Sequence, residues 1–370
     1  MVPFLRSPAW ILLVLTAGLA GCLSQPPTTS APRGSGPRPV PGEHRGESLI
    51  FIGEQPAALA YRPMRPADLR LRSTYEVGPT TIQYQPGRDY LIDPAQGTLR
   101  RTADSRIPDF RTNILFGADD FDHSKFPGFG NHGFFAYADY SFQRDTEWPR
   151  QTIPPAQRTA LQNTLKKLAA GQPLKLVAYG DSITAGGDAT RPELIYWQRW
   201  AESLAAQGSR VEAIGGATGG DRTVEGLARL QTKVLDQRPD LVLVAFGMND
   251  HNRGGVAVGQ FKTNLHEMIR RIRTGVNAEI ILLSAFPPNP RWHFGQGRMA
   301  EYAAATEEVA TEAGVAFADV FNNWQSLSAR KKCEDLLGNN INHPNDFGHW
   351  IYYQALVHLM EGVWNPSTPR

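Results

Sequence analysis

Four short blocks between residues 180 and 349 hold residue types that could transfer an acyl group. Gly180-Asp181-Ser182-Ile183-Thr184 puts a serine directly after an apolar run and ahead of a segment with helical spacing. A hydroxyl at such a junction is exposed, and a helix N-terminus beyond it would favour developing negative charge. The same block in isolation is an ordinary helix cap. It is not the G-x-S-x-G elbow, because Thr184 stands at the final glycine position, which argues against an α/β-hydrolase. The second block is Gly215-Gly216-Ala217-Thr218-Gly219-Gly220, followed by Asp221-Arg222 where a phosphate loop would need Lys-Ser/Thr. Its glycine spacing is not a dinucleotide fingerprint either, which leaves backbone N–H groups able to approach an oxyanion closely. Gly247-Met248-Asn249-Asp250 offers a side-chain amide to the same oxyanion, or else a plain turn residue. In His343-Pro344-Asn345-Asp346-Phe347-Gly348-His349 the proline holds His343 away from helical geometry. His343 could then point back across a sheet end at a nucleophile, or simply cap the last helix.

The elements around these blocks supply the positioning. Leu174–Tyr179, Val211–Ile214, Leu241–Phe246, Glu279–Ser284 and Val315–Val320 are apolar runs of strand length. They alternate with helical patterns over 193–207, 223–237, 261–273, 299–313 and about 347–360. Continuous apolar strands alternating with helices predict an α/β fold with a parallel sheet covered on both faces. Ligands in such sheets bind outside the carboxyl ends of the strands, and every block above sits at such an end. Residues 49–148 read differently, as strand-like patches broken by turn formers, and predict a smaller β-sandwich accessory domain ahead of a catalytic domain at 150–365. Phe134, Phe135, Tyr137, Tyr140 and Phe142 could stack on sugar rings, although their near-alternation suits a strand filling a core.

Taken together, the four blocks resemble the SGNH (GDSL) hydrolase family over roughly residues 172–363. Its serine, glycine, asparagine and histidine match Ser182, Gly220, Asn249 and His343. The resemblance implies a flavodoxin-like sheet and ester hydrolysis through an acyl-enzyme. Ser182 would be the nucleophile, His343 the general base, and the Ser182 and Gly220 N–H groups with the Asn249 amide the oxyanion hole. It implies no cofactor and no metal. Ala245–Asp250 and Asn342–His349 are similar to secreted bacterial members with a β-rich N-terminal domain and an inferred carbohydrate-ester role. An O-acetylated polysaccharide or oligosaccharide is the expected substrate. The alternatives are a lipase or thioesterase, a glycan O-acetyltransferase, or a non-catalytic carbohydrate-binding lipoprotein.

One position departs from the pattern. The family usually has Asp three residues before the histidine, and Asn340 stands there. A neutral amide can orient an imidazole but does little for an imidazolium. Three readings follow: Asn340 or a backbone carbonyl orients His343, a carboxylate from elsewhere does so, with Asp346 and Asp335 nearest in sequence, or the protein is a weakened hydrolase or a binder.

Composition narrows the rest. The chain has 370 residues and a net charge of +2 with no long run of one sign, which gives no case for nucleic-acid binding. No CxxC, HxxxH or HExxH spacing suggests zinc. Residues 1–22 pair a positive Arg6 with a short apolar stretch and end in Leu19-Ala20-Gly21-Cys22, which resembles a bacterial lipobox with Cys22 as the lipidated residue. Residues 23–48, rich in Pro, Ser, Thr and Gly, read as a disordered tether. The protein is thus expected to be exported and held to a bacterial membrane, most simply the outer membrane or cell surface, through its N-terminal lipid alone. Cys333, outside any nucleophile context, reads as structural or incidental.

Overall fold

The computed structural model describes residues 41–62, 64–143, 157 and 159–363. The signal segment, Cys22 and residues 23–40 of the expected tether lie outside the described residues. The first part holds seven strands: β1 (Pro41–Leu49), β2 (Ala57–Ala58), β3 (Arg70–Arg72), β4 (Gln83–Tyr84), β5 (Tyr90–Asp93), β6 (Thr98–Arg101) and β7 (Ala136–Gln143). They form two antiparallel sheets, ordered β1-β7-β3-β4 and β2-β6-β5. There follow α1 (Gln162–Ala169), β8 (Leu174–Gly180), α2 (Tyr196–Ala205), β9 (Val211–Gly215), α3 (Thr223–Lys233) and β10 (Leu241–Ala245). The chain continues through α4 (Val258–Val276), β11 (Glu279–Leu283), α5 (Met299–Ala313), β12 (Ala316–Ala318), α6 (Val320–Ser328), α7 (Cys333–Leu336) and α8 (Asp346–Val363).

Strands β8 to β12 form one parallel sheet in the order β12-β11-β10-β8-β9. This is the flavodoxin-like order expected from the alternating pattern. Every residue of β10 is buried, so its unbroken apolar run is the mark of a strand covered on both faces. The edge strand β9 is only partly buried. Helix α4 packs against both α3 and α5, and α8 against both α2 and α6. On α4 the buried Phe261, Leu265, Met268, Ile269 and Ile272 recur at helical spacing. The expected last strand is shorter than its apolar run, because Asp319 accepts a hydrogen bond from Asn322 N and caps α6 in place of extending β12.

The antiparallel β structure expected in the N-terminal part is present, and one expectation there needs correction. Residues 41–48, read as the end of the tether, form β1 beside β7. Their polar side chains misled because their partners are remote. Glu47 accepts from Lys331 Nζ at 2.8 Å and from the Tyr140 hydroxyl at 2.6 Å, and Ser48 Oγ donates to Asp335 O at 2.5 Å. The two antiparallel sheets also share a continuous core with the parallel sheet: Leu49, Leu71, Leu99 and Phe142 belong to the same buried cluster as Leu243 and Leu356. Residues 41–143 are therefore built into the α/β unit, and Phe135, Tyr137, Tyr140 and Phe142 are buried in cores rather than offered to ligand.

The Lys331–Glu47 pair is completely buried, and Lys331 also donates to Ser48 O and Ala58 O. Removing one partner of such a pair strands a buried charge, at about 3–5 kcal/mol. Lys331→Ala should lower the unfolding free energy in urea by that amount, within a single transition that includes both sheet regions. A separate transition for the β-rich part, untouched by the substitution, would contradict the shared core.

Candidate active site

Strands β8 and β10 are neighbours, and the chain order reverses between them, so their carboxyl ends flank the crevice where a doubly wound sheet takes its ligand. Gly180, the last residue of β8, has no room for a side chain: a Cβ there would collide with Ala245 O and Thr184 Oγ1. Ser182 follows. No regular helix begins at it, contrary to the expectation of a helix N-terminus behind the hydroxyl. Residues 182–188 instead form consecutive turns, closed by Ala185 N to Asp181 O, Gly186 N to Ile183 O and Gly187 N to Ser182 O.

Those turns deliver a residue that sequence reasoning missed. Asp188 has a left-handed backbone, φ +60°, and its Oδ2 lies 2.9 Å from His343 Nδ1. His343 Nε2 lies 2.8 Å from Ser182 Oγ. A carboxylate only accepts hydrogen bonds, so His343 Nδ1 carries the hydrogen and Nε2 presents its lone pair to the serine hydroxyl. Burial pushes the Asp188 carboxyl up, but hydrogen bonds from His132 and His343 outweigh it and hold the group at about 2. Asp188 is thus an anion at any ordinary pH. Gly187 fits between the ring and the turn, since a Cβ there would come within 2.9 Å of His343 Nδ1 and 3.0 Å of Ser182 O.

None of the three expected orienting residues touches the imidazole. Asn340, also left-handed at φ +60°, turns its amide oxygen to Asn131 and Asn289, at 3.4 Å from each. Asp335 accepts from Ile50 N at 2.6 Å and Lys332 N at 2.9 Å, joining β1 to the start of α7. Asp346 accepts from Thr190 N and Thr190 Oγ1, at 2.9 and 2.8 Å, so it steadies the turn that carries Asp188 without meeting His343. His349 works on the same turn: burial lowers its pKa to about 4, and its Nε2–H donates to Gly187 O at 3.1 Å. The one sequence signal for Asp188 was Gly186-Gly187-Asp188 close behind the serine. His343 itself is held by Asn339, whose Oδ1 accepts from the backbone N–H groups of Ile341, Asn342 and His343.

The glycine-rich loop after β9 reaches the serine, for a Cβ on Gly219 would lie 3.9 Å from Ser182 Cβ. Gly220 follows with φ +79° and open space around its Cα, so backbone conformation and not crowding calls for glycine there. Asn249 Nδ2 donates one hydrogen to Asp221 O at 3.0 Å, which fixes the amide beside this loop and leaves its second hydrogen for another acceptor. Asp250 binds Thr223 N at 2.9 Å and Thr223 Oγ1 at 2.5 Å, tying the start of α3 to the end of β10. The site therefore combines a hydroxyl hydrogen-bonded to a basic nitrogen, an anion behind that imidazole, and N–H groups alongside. Among the described residues no group of three or more His, Cys, Asp or Glu could hold a metal ion. Cys333 is a free thiol in contact with Glu334, and burial pushes its pKa well up.

Residues 178–351 match the model of the GDSL-like Lipase/Acylhydrolase family. The chain is 34% identical over 151 residues to Esterase TesA of Pseudomonas aeruginosa, spanning 40% of this chain and 72% of that protein. It is 31% identical over 104 residues to the uncharacterized lipoprotein YqeF of Bacillus subtilis, covering 26% of this chain and 43% of that one. Among solved structures, a two-domain esterase active on acetylated mannans overlaps with TM-score 0.49 at 20% identity, over 59% of this chain and 58% of that one. The sheet order, the three blocks at its strand ends with His343 beside the serine, and the match to TesA over most of that esterase lead to one conclusion: the chain belongs to the GDSL-like lipase/acylhydrolase family of ester hydrolases.

Proposed function

We propose that the protein is a serine esterase that removes acetyl-sized groups from a carbohydrate through an acyl-enzyme. The observation that carries the reading is the unbroken hydrogen-bonded chain Ser182–His343–Asp188. As Ser182 Oγ attacks the ester carbonyl, its proton passes to His343 Nε2, and Asp188 stabilises the imidazolium that forms. The oxyanion is met by the N–H groups of Ser182 and Gly220 and the free hydrogen of the Asn249 amide. Collapse expels the sugar alkoxide, which takes the proton from His343. Water then repeats the cycle on the acyl-serine, releasing the acid and restoring Ser182.

The carbohydrate ester is supported by the likeness of Ala245–Asp250 and Asn342–His349 to secreted bacterial members of the family. A groove of about 330 Å³ opens beside His132 and Thr190, with Tyr75, Glu76, Tyr137 and Arg191 along it. The lipobox resemblance around Cys22, together with the likeness to a lipoprotein, supports export and a lipid anchor. No helix among the described residues is long and apolar enough to cross a membrane.

Purified protein should release acetate from acetylated xylan and 4-nitrophenol from its acetate ester. The kcat/KM for 4-nitrophenyl esters should fall as the acyl chain lengthens from acetate to decanoate. A profile rising toward decanoate would replace the carbohydrate reading with a lipid one.

A further inference from the structure

The carboxylate behind His343 has a second partner. His132, from the β-rich part of the chain, places Nε2 2.9 Å from Asp188 Oδ1, while Asp188 Oδ2 takes His343. Because the carboxylate accepts on both oxygens, His132 must donate an N–H. Its place is fixed by the preceding residue. Asn131 is fully buried, donates through Nδ2 to Leu337 O at 2.9 Å, and its backbone N–H donates to Gly338 O at 2.8 Å. Gly338 N in turn donates to His343 O at 2.9 Å, and a Cβ on Gly338 would collide with Asp188 Cβ. The segment carrying His132 is thus locked onto the same loop that carries the general base.

We infer that His132 is a positioning residue: it fixes the Asp188 carboxylate in the plane His343 needs, and its charge state tunes how strongly that carboxylate holds the imidazolium. The inference rests on the proposed roles of Ser182 and His343. It makes the β-rich part a contributor to the reaction and extends the relay to Ser182–His343–Asp188–His132. Three consequences follow from the chemistry. Without the His132 N–H, Asp188 has one donor fewer and can rotate away from His343. Without its positive charge at low pH, Asp188 holds the proton on His343 more tightly, so the acid limb of the rate profile moves to higher pH. A glutamine at 132 can supply the N–H but not the charge. The groups around His132 are Asp188 in contact, Asp346 further off, and Glu76, Arg191, Tyr75 and Tyr137 along the same groove. Asp188 dominates, through its hydrogen bond and then its charge, and raises the His132 pKa against the effect of burial.

The test compares full-length wild type, Ser182→Ala, His132→Ala and His132→Gln on 4-nitrophenyl acetate from pH 4.5 to 9. His132→Ala should lower kcat by about threefold to tenfold, the range of one net hydrogen bond, with KM within about twofold. His132→Gln should recover most of kcat. Both variants should shift the acid limb of kcat/KM upward. If wild type is active and Ser182→Ala inactive, yet both His132 variants keep the wild-type kcat and acid limb, the inference fails while the esterase reading stands. Equal losses in both variants with an unmoved acid limb would make His132 a mere packing residue, and would also overturn it. An inactive wild type would instead remove the reading on which the inference rests.

Discussion

Asp188→Asn is expected to lower kcat by about 10³–10⁴, with KM changed by no more than about threefold. The size follows from what surrounds the carboxylate. Both oxygens accept hydrogen bonds, one from His343 Nδ1 and one from His132 Nε2, each at 2.9 Å. An asparagine has one accepting oxygen and one donating nitrogen. If the amide nitrogen faces His343, the ring must place its hydrogen on Nε2, and the lone pair that would take the Ser182 proton is gone. If the oxygen faces His343, the tautomer survives but the negative charge opposite the imidazolium does not. The corresponding change in a serine-protease triad costs about 10⁴ in rate. Asp346→Asn, which reaches the relay only through Thr190, should cost far less. Initial rates on 4-nitrophenyl acetate for both variants check the prediction. Near-wild-type activity in Asp188→Asn would show that His343 draws no electrostatic help from this carboxylate.

Ser182→Ala should have the largest effect, lowering kcat by about 10⁴–10⁶, to a residue of activity owed to the N–H donors and to binding. The side chain is half-buried and its hydroxyl bonds His343 Nε2, so the fold should be unaffected and the melting temperature unchanged. Groups that act as one unit are not additive. The double variant Ser182→Ala/Asp188→Asn should therefore be no slower than Ser182→Ala. A further drop of 10³ in the double variant would mean that Asp188 serves a reaction in which Ser182 is not the nucleophile.

The parts of this molecule that could be read in the sequence are those where period and chemistry coincide. Leu241–Ala245 is apolar throughout because it is covered on both faces, and its run located both the strand and the end at which Asn249 stands. The same reasoning located Ser182 after β8, Gly220 after β9 and His343 before α8, and the structure brings the ends of these elements into one crevice. Asp188 escaped because nothing periodic announces it. Its position depends on a left-handed backbone and on turns closed by Gly186 and Gly187, and its partner is 155 residues away. The usual family spacing drew attention to Asn340, whose own left-handed backbone turns its amide away from the imidazole. Residues 41–48 were misread for a related reason. Glu47 and Ser48 look like tether residues until Lys331 and Asp335, nearly 290 positions later, are folded against them. Polar groups buried by remote partners leave no local trace.

The central claim is that Ser182 is acylated and then hydrolysed. Rapid mixing of enzyme with excess 4-nitrophenyl acetate, acid quench and peptide mass analysis tests it directly. A burst of 4-nitrophenol near one equivalent per enzyme, with the acetyl group on the peptide containing Ser182, is the predicted result. Turnover with the acetyl group on another residue, or with undiminished acetylation in Ser182→Ala, would contradict it.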